Sequence, residues 1–586
     1  MNKGCSQCVE NGFVNIQLYF VVIVNMAMFS IKKGKALFFD ECKPHRGHKS
    51  AHRFLYNGLN LLSFRCSLFG IVYLLMSAPV VSAQAMANTQ TSFPVSSTPE
   101  TCFHISTIEY VTPTGELVIP SWQRYAKALP IVLPACFSVT DLNALLPVAT
   151  AQMINDGWVT ARFGIANQDL STGTLKLTLV VGVFDEVMVP EALPTKRWRP
   201  GLTLKRQDPI NLRDIEQAVE QLNRLPSQKA DIKVAPSPQQ GMSNLVLNMQ
   251  DQGPLVRGTL GYSQNESNTT TATLAWDRPL GSTDQLNLSL AYETLDTLQN
   301  YTLNANWSVG FGYNTVNISS RNQRGNRTIT GAVEAFESET QSDGWQLDYT
   351  RRLYRNNDTL IDLVMSFVRD SDRSYIDGTE IDLQARDQGW GQAALRLSTT
   401  SSRANWVITA TQQKGMPNWW GDDDPQTLPA GRPTHRYDLI KLDVSRTQDW
   451  QVGKASRLVW SSSYSGQHSR HDLHGANLFS IGGRGSVRGF KSSLSSESGW
   501  FLRNKISRIT QKDYLFEPYI AFDMGEVTGP SAQYLEGTQL VGWALGQKIT
   551  YGAFNIEMEL DLPKYGPSAL IALAEPTVYI AATGSF

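Results

Sequence analysis

The sequence predicts a mainly β protein in which two small α/β modules precede a C-terminal transmembrane antiparallel β-barrel. Three observations lead there. Charged residues make up 18% of the chain, aromatics 10%, and mean hydropathy is −0.24, too polar for a bundle of membrane helices yet aromatic and glycine-rich for a cytosolic enzyme. An apolar run followed by small residues stands near the N-terminus. From about Gly253 onward, segment after segment alternates apolar with polar residues.

Export decides which residues belong to the fold. Arg53 and Arg65 precede the apolar run Leu68–Met76, and Val81-Ser-Ala-Gln-Ala85 offers cleavage after Ala83 or Ala85, so residues 51–85 read as a bacterial secretory signal. A second apolar stretch, Phe13–Phe29, is interrupted by Asn15, Gln17 and Asn25 and is weak as a membrane span; residues 1–50 are expected to be an upstream extension or a misassigned start. The first 85 residues carry nine Lys/Arg and three Asp/Glu, which leaves the remainder 43 positive and 50 negative side chains, a formal charge of −7. Nucleic acid is therefore not the expected partner. Of six cysteines only Cys102 and Cys136 remain, an even pair in an oxidising compartment. A disulfide is expected; two buried free thiols are the alternative.

Residues 86–101 form a Ser/Thr/Pro linker in which Pro94 and Pro99 disfavour a helix. In the first module, 102–182, Phe103, Ile105 and Ile108 suggest a strand and Trp122–Leu129 a short helix. Ser138 or Thr140 caps a second helix whose apolar positions Leu142, Leu145, Leu146, Ala149 and Met153 recur at helical spacing until Gly157. Strands follow at Trp158–Ile165 and Thr174–Val181. The second module, 183–250, repeats the plan, with a strand at Phe184–Val189, a helix at Asn211–Arg224 stopped by Pro226, and strands at Ala230–Ala235 and Asn244–Met249 around Gly241.

The remaining residues, 251–586, alternate. In Leu286–Tyr292, Leu303–Phe311 and Val578–Phe586 one face is apolar while the other carries Asn, Ser, Gly or Ala. A soluble sandwich has the same period; the export signal, the number of such strands and the terminal aromatic favour a membrane barrel. Within this region a glycine-rich stretch, Ile481-Gly-Gly-Arg-Gly-Ser-Val-Arg-Gly-Phe490, is followed by Ala521-Phe-Asp-Met-Gly-Glu-Val527. A guanidinium shielded from water needs a carboxylate, and Asp523 is the candidate for Arg488.

The order of the modules resembles polypeptide-transport-associated (POTRA) domains. Cys102-Phe-His-Ile, Gly157-Trp-Val-Thr-Ala-Arg162, Asn167-Gln-Asp-Leu, the helix Asn211–Pro226, Gly241-Met-Ser, Val487-Arg-Gly-Phe490 and Phe522-Asp-Met-Gly525 together resemble the two-partner secretion transporters of the hemolysin secretion and activation family, related to the outer-membrane assembly factors. The resemblance implies about sixteen strands, with the 481–490 loop folded into the lumen. It implies that Val487, Arg488, Gly489 and Phe490 form the pore-loop motif required for secretion, with Asp523 and Gly525 on the barrel wall. The family tetrad ends in Tyr or Phe; here Phe490 supplies no hydroxyl. The alternative is that Arg488 and Asp523 only hold the barrel's shape. Phe586 resembles the C-terminal signal presented to the barrel assembly machinery.

The function implied is an outer-membrane translocator of Gram-negative bacteria whose periplasmic modules bind the N-terminal secretion domain of an unfolded exoprotein, whether adhesin, cytolysin or contact-dependent toxin, and pass it through a barrel set in outer-membrane lipid. An assembly factor and a passive porin are the competing readings. No cofactor or metal is expected: His468, His471, Asp472 and His474 read as a solvated connection, and Trp419–Pro425 as an interfacial aromatic pair with an acidic turn. No phosphate loop or Gly-x-Ser-x-Gly elbow appears, so enzymatic activity is not expected.

Overall fold

The computed structural model describes residues 102–116, 122, 124–125, 132–264, 268–295, 298–330, 334–417, 421–429, 431–573 and 576–585. The expected extension, signal peptide and linker, and Phe586, lie outside them.

The first module is built around α1 (Val139–Asn155), which starts where Ser138 and Asp141 satisfy one another's backbone N–H groups in a capping box. Leu142 and Met153 on this helix pack onto Phe163, Leu175, Leu177 and Leu179 of the sheet. That sheet runs Thr107–Val111, Thr174–Val180, Arg162–Ile165, the first pair parallel and the second antiparallel. The single strand expected over Phe103–Ile108 divides at Ser106: Phe103–Ile105 pairs instead with Ala135–Phe137. Its turn to a second sheet brings Cys102 beside Cys136, and the two are joined in a disulfide with Cα atoms 5.4 Å apart. Of the expected helix Trp122–Leu129, the described residues Trp122, Arg124 and Tyr125 are helical.

The second module repeats the parallel-plus-antiparallel sheet, with Met242–Asp251 between Val183–Met188 and Gln228–Pro236. Asn211 caps α2 (Leu212–Asn223) by accepting from Arg213 N–H, and Ile215, Ala218 and Leu222 press its apolar stripe onto Ala230, Ile232, Leu245 and Leu247. A short helix, Thr195–Trp198, that the sequence did not signal adds Trp198 to this core.

Sixteen long antiparallel strands, from Val256–Gln264 to Thr577–Ser585, then close on themselves through pairs such as Ile580 with Gln264. Closure matters because an open edge in hydrocarbon leaves backbone groups without partners. Alternation sorts the side chains: Leu274, Trp276, Leu288, Leu290, Leu303 and Ile318 are exposed on the outside, while Asn306, Asn317 and Asp348 bond one another inside. Among the described residues no helix is long and apolar enough to cross a membrane; the crossing is made by strands. Short turns such as Gly312–Tyr313 and Asn356–Asp358 face the modules, and the longer connections 416–437 and 470–497 leave from the opposite end.

Candidate functional site

The connection 470–497 does not stay outside the barrel. After a two-strand ribbon, Phe479–Ile481 with Leu494–Ser496, its apolar residues Ile481, Val487, Phe490 and Leu494 form a buried cluster with Val527 and Leu540 of the wall. Phe490 is buried there, filling with its ring a position where a tyrosine would also have to place a hydroxyl. Gly489 has φ +93°, and a Cβ there would lie 2.6 Å from Pro563 N and 2.7 Å from Leu562 C, so glycine is needed both for its conformation and for close approach. Gly525 faces the same cluster: a Cβ would lie 2.9 Å from Trp500 O and 3.2 Å from Ile481 Cγ2.

This packing sets Arg488 against Asp523. Its Nε donates to Asp523 Oδ2 at 2.6 Å and its Nη2 to Oδ1 at 2.8 Å, a two-pronged pairing that also receives the Arg488 backbone N–H at 3.2 Å. The third edge, Nη1, reaches Glu559 Oε2 at 3.2 Å. All three side chains are buried. Arg484 donates to the other Glu559 oxygen at 2.9 Å and lies 3.5 Å from the centroid of the Tyr579 ring, while the Tyr519 hydroxyl stands 2.8 Å from both Glu557 and Glu559. Arg503, on the strand paired with that of Asp523, donates to Gly485 O at 3.2 Å. A cavity of about 450 Å³ lies among Arg484, Arg488, Arg503, Lys505, Tyr519 and Glu557.

Sequence reasoning named Val487, Arg488, Gly489, Phe490, Asp523 and Gly525, and the structure brings these six together. It missed Glu559, Arg484 and Tyr519. A signal was present: Glu557, Glu559 and Asp561 alternate along Phe554–Tyr565, placing three carboxylates on one face of a strand. Among the histidines, His474 is not solvated. Its ring lies tilted against that of His435, with centroids 4.3 Å apart, and neither of its nitrogens has a partner among the described residues. Trp419 and Trp420 lie outside the described residues, whereas the acidic turn is engaged: Asp423 pairs with Arg436 at 2.6 Å, and Asp424 accepts from His435 N at 2.8 Å.

A second polar assembly, unsignalled in the sequence, joins the modules to the barrel. Gln217 and Gln221 of α2 both donate to Gly312 O at 3.0 Å, Arg224 donates to Ser308 Oγ at 2.8 Å, and Arg352 and Arg355 meet Glu216 and Glu220. Tyr313 donates to Asp214 at 2.7 Å. Burial raises the Asp214 carboxyl above its ordinary value, and burial with this carboxylate beside it raises the Tyr313 hydroxyl. Further along, Asp277 accepts from Ser227 N and from both arms of Arg257, at 2.8 and 2.9 Å.

Comparison with known proteins agrees with this architecture. The haemolysin secretion/activation protein family ShlB/FhaC/HecB matches residues 241–549, the ShlB-type POTRA domain residues 105–182, and a further POTRA family residues 194–236. The outer membrane transporter CdiB-2 of Burkholderia pseudomallei (strain 1026b) is 25% identical over 523 residues, 84% of this chain and 88% of that protein. The hemolysin transporter protein ShlB of Serratia marcescens is 27% identical over 445 residues, 73% of this chain and 76% of that protein. In fold the chain is similar to CdiB from Escherichia coli, with a TM-score of 0.76 over 86% of this chain and 93% of that one, at 24% identity. With its barrel in the outer membrane and its POTRA domains in the periplasm, the chain belongs to the haemolysin secretion/activation (ShlB/FhaC/HecB) family of two-partner secretion transporters.

Proposed function

We propose that the modules, residues 102–182 and 183–250, capture the N-terminal secretion domain of an unfolded exoprotein and that the barrel, 251–586, exports it when the 481–490 loop yields. The observation that carries this reading is the loop itself: a lumen-filling segment held to the wall by the Arg488 fork on Asp523. A passive porin has no use for the paired POTRA modules that precede the barrel.

The modules supply a capture surface. Among the described residues Thr107–Val111 and Arg162–Ile165 end the first sheet and Gln228–Pro236 one side of the second with no further strand beside them, whereas Val183–Met188 is bridged at Val183 and Phe184 by Gln207–Pro209. An extended chain adds to such an edge through main-chain hydrogen bonds, which suits a client that arrives unfolded. Folding of the client outside the cell biases export forward without nucleotide. Adhesin, cytolysin and contact-dependent toxin remain the client classes; outer-membrane lipid surrounds the barrel, and the barrel assembly machinery receives it during biogenesis.

The test is an export assay with Arg488→Ala beside the native chain and a co-expressed client. Loss of surface client with normal heat-modifiable barrel supports the reading; full export by the variant reduces Arg488 and Asp523 to architecture. Cell-wide loss of other barrels on deletion of the chain would favour an assembly factor instead.

A further inference from the structure

Arg446 breaks the pattern of the barrel's outer face. Residues opposite one another across antiparallel strands share a face. From Asp523 in the lumen, the pairs run to Arg503, then Ser463, then Ser445, then Val407. Arg446, one residue on from Ser445, therefore projects outward, in the row Trp406, Arg446, Ser462, Asn504, Phe522 and Trp543. On its own strand, Asp438–Gln451, the outward neighbours toward the cell exterior are Ile440, Leu442 and Val444. Arg446 sits nearer the end that carries the modules, hence in the periplasmic leaflet.

A cation at that place has a built surrounding but no countercharge. Its guanidinium carbon lies 4.9 Å from the centroid of the Trp406 ring and 4.5 Å from that of Trp460, so two indoles sandwich it. The side chain of Gln448 accepts from Nη2, the buried Nε has no partner, and the residue is 9% exposed. Trp460 Nε1 donates to Asn504 Oδ1 at 3.2 Å, which brings a second polar side chain to the slot, and Ser462 adds a hydroxyl on the same row. Among the described residues no carboxylate pairs with Arg446, in contrast to Arg488 with its two. The complementary anion has to come from outside the chain, and at this depth the abundant anion is a lipid phosphate.

We propose that the slot between Trp406 and Trp460 binds the phosphodiester group of a periplasmic-leaflet glycerophospholipid. The guanidinium supplies charge-assisted donors, the indoles hold it flat and pack against the glycerol and upper acyl carbons, and Ser462 and Asn504 offer further polar contacts. The site deepens the lipid contact proposed above and rests on that reading. It fixes one lipid against a strand that only Ser456–Ser469 separates from Ser498–Gln511, whose Arg503 meets the pore loop.

The test uses the full chain in a phosphate-free detergent, with phosphatidylglycerol and diacylglycerol as probes and native mass spectrometry as readout. The native protein is expected to retain phosphatidylglycerol and not diacylglycerol, and Arg446→Gln to weaken retention about ten-fold while the barrel stays heat-modifiable. Equal retention of both probes by the native protein overturns the proposal, even if Arg446→Gln fails to fold. So does unchanged retention in a folded Arg446→Gln. Displacement of the lipid by equimolar inorganic phosphate also overturns it, by showing a free-anion site. Vesicle flotation of both proteins tests the underlying reading separately: both are expected to float, and failure of the native protein to do so removes the lipid contact itself.

Discussion

Arg488 Nη1 lies 3.2 Å from Glu559 Oε2, although Asp523 already occupies the other guanidinium edges. Glu559 belongs to Phe554–Tyr565 and Asp523 to Leu515–Thr528, two strands separated by Gln539–Tyr551. One side chain of the pore loop is thus fastened across three staves of the barrel, and the loop moves only if both pairings give way.

The first prediction follows from burial. Arg488→Met strands Asp523 without its fork partner, a change expected to cost about 3–5 kcal/mol. Arg488→Met with Asp523→Leu leaves neither charge alone, since Glu559 keeps Arg484. The midpoint of heat-modifiable migration is expected to fall in the single variant and to recover most of the loss in the double one, while export stays abolished in both. A double variant no more stable than the single would show that the pair does not act as a unit.

Gly489 is the tightest point of the loop. Gly489→Ala combines a left-handed conformation, at about 1–2 kcal/mol, with a Cβ pressed on the Leu562–Pro563 peptide. The loop is expected to shift off the wall and channel conductance in planar bilayers to rise. Unchanged conductance would mean that the loop tip does not set the opening.

The module-to-barrel joint is expected to be polar and divisible. Ion pairs with a partner as open to solvent as Glu220 contribute about 0.2–1 kcal/mol each, so replacing Glu216 and Glu220 by Gln weakens the joint without stranding the buried Asp362, which keeps Arg352. Spin labels on α2 and on the turn at Gly312 should give a broader distance distribution in that double variant. An unaltered distribution would assign the joint to Gln217, Gln221 and Arg224.

The outer loops carry an acid-sensitive contact. Burial above all, with His435 and Arg386 adding to it and Asp424 and Asp422 opposing, lowers the His474 pKa from an ordinary value of 6.5 to about 4. Because the folded value is depressed, the contribution of the neutral ring is complete above pH 6.5 and is lost as the pH falls through about 4. Proteolysis of the 416–437 connection should therefore quicken on acidification in the native protein and not in His474→Phe. Equal acid sensitivity in both would place the titrating group elsewhere.

Local rules were legible in the chain because they depend on neighbours. The Ser138 cap, the apolar stripe of α2, the outward rows at Leu288 and Leu303, and the glycine at 489 all follow from period, capping chemistry or φ. The pairing of Arg488 with Asp523 was also within reach, since a shielded guanidinium and a carboxylate to meet it stood in two unusual phrases. The split of the first strand at Ser106 was not, because Ser106 looks like any strand residue until Ala135–Phe137 competes for its neighbours.

Composition, alternation and motif order alone determined that an exported chain ends in a barrel with an arginine-bearing loop. What the tertiary structure decided depends on closure. Strand register brings Glu559 under Arg488, turns Gly312 toward Gln217, and puts Arg446 between Trp406 and Trp460. Each of these meetings joins residues far apart in sequence, and a one-residue change of register would exchange inside for outside, so no local pattern could have carried them.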